Sequence, residues 1–119
     1  MMKRLSIAIP LLLALAAPAQ ATGGFVCRTA GAAPIEAAVG FGHVPGSPVT
    51  ATRLIDQGRE VPARHAQWWL DKDELRLLLI GTDALREELL IRARRNGHVY
   101  DGSLWRNGKR RWVRCREDG

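Results

Sequence analysis

The sequence predicts an all-β fold, a small antiparallel barrel or sandwich of roughly seven to eight strands whose termini are tied by one disulfide. Three observations carry this expectation. Apolar and polar residues alternate over short runs, as in Ile35-Glu36-Ala37-Ala38-Val39-Gly40-Phe41, the period of a strand with one buried face. Asn107-Gly108 stands between two such runs, and Asn-Gly is the pair favoured in a two-residue type I′ hairpin turn, where both positions need positive φ. The two cysteines, Cys27 and Cys115, lie towards opposite ends of the 119-residue chain.

The segments follow in order. Phe25–Thr29 is a short strand that places Phe25 and Cys27 on one face. In the next run Ile35, Ala37, Val39 and Phe41 share a face, opposite Glu36, Ala38 and Gly40. Residues 40–48 hold three glycines and two prolines and read as a loop. Val49–Ile55 is β-branched and strand-like, and Asp56-Gln57-Gly58 turns it into Arg59–Ala63, where Pro62 dictates an edge or irregular strand. Gln67–Ile80 reads as a hairpin about Asp71-Lys72-Asp73. Its adjacent Trp68 and Trp69 must face opposite ways, and Leu75, Leu77 and Leu79 share a face against Arg76, Leu78 and Ile80. For Thr82–Gly97 a turn over Asp83–Arg86 and a strand from about Glu88 to Arg95 are expected. A short helix near residues 83–93, with Leu85, Leu89 and Ala93 at helical spacing, is the alternative.

The last hairpin is the most determined. A two-residue turn at Asn107-Gly108 pairs Arg106 with Lys109 and, as the seventh pair, Tyr100 with Cys115. Alternation then places Tyr100, Gly102, Leu104, Val113 and Cys115, with Arg111 near the tip, on the core face. Asp101, Ser103, Trp105, Arg110, Trp112, Arg114 and Arg116 take the outer face.

The chain opens with Lys3 and Arg4, then an uncharged run of 15 residues, Leu5–Ala19, and the small-x-small triplet Ala19-Gln20-Ala21. Residues 1–21 thus read as a secretory signal peptide. The run falls short of the ~20 residues a spanning helix needs, and no cysteine follows the triplet directly to make a lipoprotein. Residues 22–119 are expected to form a single β-rich domain with no second apolar segment, periplasmic or secreted. In that setting Cys27 and Cys115 most simply pair. The cross-link spans 88 positions, a constraint worth about 4–5 kcal/mol in the chain-entropy treatment.

With Lys3 and Arg4 removed, 16 basic and 12 acidic residues leave a net charge of +4. Fourteen of the 16 are arginine, and nine basic residues against one acid, Asp101, fall between Arg92 and Arg116. Arginine is the better bidentate partner for carboxylate and phosphate; the compositional bias of a GC-rich genome accounts for it equally well. Trp105, Arg110, Trp112 and Arg114 are therefore the candidate binding residues, able to hold an anionic group while an indole stacks on a ring. Anionic lipid, polysaccharide or an acidic protein suits such a surface, whereas export argues against intracellular nucleic acid.

Catalytic groupings are not legible. His43, His65 and His98 stand at no metal-ligand spacing, Ser47 and Ser103 in no nucleophile elbow, and Asp71, Asp73, Glu87 and Glu88 in polar turns. No catalytic residue, metal or cofactor is expected, and the sequence points to a non-catalytic binding or accessory module of the bacterial envelope. An envelope hydrolase using these histidines or carboxylates is one alternative. The layout also resembles that of bacterial periplasmic lysozyme inhibitors: a signal peptide, about a hundred residues, antiparallel strands, one cysteine in the first strand and another at the end. The resemblance implies an inhibitor of that kind as a second alternative. The chain departs from it in lacking the serine-glycine loop that enters the lysozyme cleft, and in a net charge ill-suited to a cationic target.

Cleavage after Ala21 predicts an exported protein that begins at Thr22. Intact-mass measurement of the envelope fraction checks this; a species there retaining Met1 contradicts it.

Overall fold

The computed structural model describes residues 23–41 and 49–118. They form nine strands: β1 (Gly23–Thr29), β2 (Ile35–Phe41), β3 (Val49–Asp56), β4 (Arg59–Val61), β5 (Arg64–Leu70), β6 (Glu74–Ile80), β7 (Glu87–Asn96), β8 (Val99–Arg106) and β9 (Lys109–Asp118). All belong to one antiparallel sheet in the order β4-β3-β2-β1-β9-β8-β7-β6-β5, curled into a half-barrel. The signal segment, His43 and Ser47 lie outside the described residues.

The count is nine rather than the expected seven to eight. Pro62 and Ala63 divide the stretch after the Gln57-Gly58 turn into β4, on β3, and β5, on β6. These two strands are the edges of the sheet, so the chain leaves one edge and at once becomes the other. Pro62 has no N–H to donate and suits that changeover, while β4, at three residues, is a short edge of the kind that resists edge-to-edge pairing.

The alternative helix near residues 83–93 is absent. Gly81 donates to the Arg86 carbonyl (2.9 Å), Ala84 donates to the Gly81 carbonyl (2.9 Å), and the Asp83 carboxylate accepts from the Leu85 N–H (3.0 Å). Ala84 has φ 64°, which interrupts any right-handed helix. Leu85 is exposed, whereas Leu89 and Ala93 reach the core by strand alternation with Ile91 rather than by helical spacing. The strand then begins at Glu87.

The β8–β9 register is the one that Asn107-Gly108 dictates, from Arg106↔Lys109 to Tyr100↔Cys115, with φ 52° and 75° at the two turn residues. The inner face collects the alternate apolar residues: Phe25 and Cys27 of β1, Ala37 and Val39 of β2, Leu75–Leu77–Leu79 of β6, Leu89–Ile91 of β7 and Leu104 and Val113 of the last hairpin. Trp68 turns inward and stacks on Phe41 of β2, ring centroids 5.1 Å apart. Gly102 is needed where β8 bends against β7, because a Cβ there would overlap the Arg92 carbonyl and the Ala93 Cα.

Polar ties close the core at both ends. At the end holding the 71–73 and 97–98 turns, the buried Tyr100 hydroxyl donates to the Asp71 carbonyl (2.6 Å) and accepts from Arg95 (2.9 Å), with the Glu117 carboxylate 3.2 Å away. Burial raises the Tyr100 pKa, so the hydroxyl stays protonated at neutral pH and able to donate. At the opposite end Arg111 donates to the Ala30 and Ala33 carbonyls, 3.0 Å each. There too lies Arg106, its side chain 9% exposed, with Nε 2.7 Å from Asp56 of β3 and Nη1 2.9 Å from Glu88 of β7. Leu79 faces Leu89 but Ile80 faces Glu87, so Glu88 is the extra residue of a β-bulge. A bulge re-aims a side chain, and here the Glu88 carboxylate meets Arg106. Desolvation pulls the Arg106 pKa down, but the hydrogen bonds and charges of Asp56 and Glu88 outweigh it and the net shift is upward.

Arg106→Met leaves Asp56 and Glu88 half-buried and unpaired and is expected to destabilise the fold by about 3 kcal/mol. Urea unfolding at pH 7 measures this; an unchanged midpoint contradicts the bridging role.

Candidate functional site

The outer face of the half-barrel carries the candidate residues. Along β8 and β9, cross-strand pairing sets Trp105 opposite Arg110, Ser103 opposite Trp112 and Asp101 opposite Arg114. The four sequence-predicted residues therefore share one face. Their roles differ. Arg114 forks onto Asp101, Nε to Oδ1 at 2.8 Å and Nη2 to Oδ2 at 3.0 Å, and its guanidinium lies 5.2 Å from the Trp112 ring centroid. Its charge is committed to Asp101, and what it offers a partner is a fixed Trp112, 51% exposed. Arg110 donates Nε to the Ser103 hydroxyl at 2.8 Å and makes no ion pair among the described residues. Trp105 is half-buried.

The hydrogen bonds from Arg114, joined by one from Asn96 (2.9 Å), hold the Asp101 carboxyl below its usual pKa, with Arg114 the largest cause. Asp101 in turn is the main cause of the raised Arg114 pKa.

The same face continues across β5–β7. Trp69 stands opposite Arg76, Arg76 opposite Arg92, and Arg92 opposite Ser103. One residue row thus reads Trp69–Arg76–Arg92–Ser103–Trp112 over five strands. The neighbouring row reads Gln67–Leu78–Leu90–Trp105–Arg110. The two indoles, Trp69 and Trp112, stand at opposite ends of this row, four strand spacings or about 19 Å apart, so they belong to separate patches. On β5–β7 the tall Trp69, Arg76 and Arg92 stand around the half-buried Leu78 and Leu90, leaving a depression of about 430 Å³. Trp69 is 50% exposed, and its indole N–H donates to Asp71 Oδ2 at 2.7 Å. The other Asp71 oxygen accepts from the Asp73 and Glu74 N–H groups, both at 2.8 Å; these two backbone bonds are the leading causes that lower the Asp71 pKa. Arg76 lies 5.7 Å from the Trp69 ring centroid and 3.2 Å from Glu74.

Trp69, Arg76 and Arg92 were not among the candidates read from the sequence. The only signal was that one of Trp68 and Trp69 must point outward. Their convergence rests on register, and β5 slips by one residue between His65 and Gln67.

The remaining chemical candidates disperse. His65 lies on the edge strand β5 and His98 in the β7–β8 turn. Asp71 serves its own turn, and Glu88 serves Arg106 at the opposite end of the sheet. Among the described residues no group of three or more histidine, cysteine, aspartate or glutamate side chains is placed to hold a metal ion. Cys27 and Cys115 are disulfide-bonded and fully buried. No protein-family model, curated protein or solved structure matches the chain.

The depressed Asp101 pKa fixes the sign of a pH effect. The ion pair's contribution is complete above the unfolded aspartate value near 3.8 and is lost as pH falls through the lower folded value. Asp101→Asn is therefore expected to be less stable than the parent at neutral pH, with the difference shrinking below about pH 4. Thermal melts across pH 2–7 check this; a gap that widens towards acid contradicts it.

Proposed function

We propose that the chain is a small exported, non-catalytic binding or accessory module whose basic-aromatic outer face holds an anionic partner. The observation that carries this reading is the pre-set Trp112: half-exposed, flanked by the Arg114 guanidinium and held through Asp101, with Arg110 beside it free of any ion pair among the described residues. A fixed aromatic side chain loses little freedom on binding, and the neighbouring guanidinium supplies the attraction for an anion. The secretory pattern of residues 1–21 and the disulfide support an exported location, since such bonds persist in oxidising compartments. An anionic polysaccharide, lipid headgroup or acidic protein satisfies the same chemistry.

Retention on an anionic matrix is expected to weaken as salt rises, because exposed charges are screened within a Debye length. Arg110→Glu and Trp112→Ala, both at exposed positions, are each expected to elute at lower salt than the parent while melting at nearly the same temperature. Elution of both variants at the parent's salt concentration overturns the reading for this face.

A further inference from the structure

The two indole-bearing patches are unequal. Trp112 sits on open convex surface, whereas Trp69 walls a depression with an aliphatic floor, Leu78 and Leu90, and a basic rim, Arg76 and Arg92. We propose that this depression on β5–β7 is a subsite for one acidic sugar ring of a polysaccharide, stacked against Trp69 with its carboxylate on Arg92. The assignment rests on the reading of the outer face as anion-binding and names the ligand class and the residues that select it.

Four features support it. The Trp69 ring has partners before any ligand arrives, its N–H on Asp71 and the Arg76 guanidinium near its ring, which lowers the ordering cost of stacking. Arg92 is exposed and makes no ion pair among the described residues, whereas Arg76 is shared with Glu74; Arg92 is the guanidinium available for a carboxylate. The rim is polar on several sides, with Gln67 and Arg76 joining Arg92, which suits a ring bearing hydroxyls. The depression is open on its outer side, which suits one ring of a longer chain that continues across the sheet face. An acyl chain fits less well: the floor is two half-buried leucines on an open sheet face, with charged side chains along its border.

Isothermal titration of the exported protein with a galacturonic acid tetramer, its neutral galactose counterpart and phosphatidylglycerol vesicles tests the assignment. The uronate tetramer is expected to bind and to perturb tryptophan fluorescence, and the neutral tetramer to bind at least about tenfold more weakly, in keeping with loss of a charge-assisted contact. Trp69→Ala and Arg92→Gln are each expected to weaken uronate binding roughly tenfold, in the range found for removing an aromatic stacking platform. Arg59→Gln, an exposed position on the far edge strand β4, leaves uronate binding within about twofold of the parent. Equal affinity for both tetramers, full affinity in Trp69→Ala and Arg92→Gln, or vesicle binding that depends on Trp69 without uronate binding overturns the assignment. If uronate fails while matrix retention still depends on Arg110 and Trp112, only this subsite falls; if no anionic probe is held, the broader reading falls with it.

Discussion

The fold depends on the pairing of its first strand with its last. Every other ladder joins strands consecutive in the chain: β1–β2–β3–β4 on one side and β5–β6–β7–β8–β9 on the other. Such hairpins form locally and need little loop closure. The β1–β9 ladder, from Gly24↔Asp118 to Thr29↔Val113, alone joins the two meanders by hydrogen-bonded pairing among the described residues, and it places the first and last strands side by side in the middle of the sheet. Contacts this distant in sequence carry the largest loop-closure cost. Cys27 and Cys115 are direct partners within that ladder, 3.9 Å apart at Cα. The disulfide therefore sits on the pairing that is entropically dearest, and it locks the register that decides which face of the sheet is core.

Curling the sheet creates a second requirement, since both ends of the inner face must be finished with polar groups that are themselves satisfied. Tyr100, joined by its hairpin partner Arg95, does this at one end and Arg106 at the other, and both Tyr100 and Arg106 reach beyond their own hairpin partners. Arg106 links strands separated by 50 positions in the chain. The Arg106–Asp56 pair and the Phe41–Trp68 stack hold the two meanders against each other across the core.

On that outer face the carboxylates do not simply cancel the arginines. Asp101 holds Arg114 against Trp112, while Asp71 holds Trp69 directly and Glu74 holds Arg76 beside it. The same device appears twice: an exposed indole with a guanidinium near its ring, anchored by a carboxylate. Ion pairs near the surface add only modestly to stability, and their further consequence here is orientation. Arg92 and Arg110, which make no ion pair among the described residues, stand on the same face as the two indoles, where a partner's negative charge meets exposed aromatic surface.

The sequence by itself determined the strand class, the inward and outward faces of most strands, the entire register of the last hairpin and the identity of one basic-aromatic face. These follow from interactions within a few residues: the period-two pleat, and a turn whose positive φ values Asn107-Gly108 readily supplies. Tertiary structure alone decided the rest. Alternation marked Arg106 only by its place beyond Leu104 on the core side, with nothing to name Asp56 and Glu88 as its partners, because that meeting needs both the curl of the sheet and a bulge. Likewise Trp69 and Arg92 lie in distant segments, and the bulge at Leu79/Ile80 sets the β6–β7 register that puts Arg76, the partner of Trp69, beside Arg92. Periodicity tells which way a side chain points; the register between strands, fixed by bulges and long-range ladders, tells what it meets.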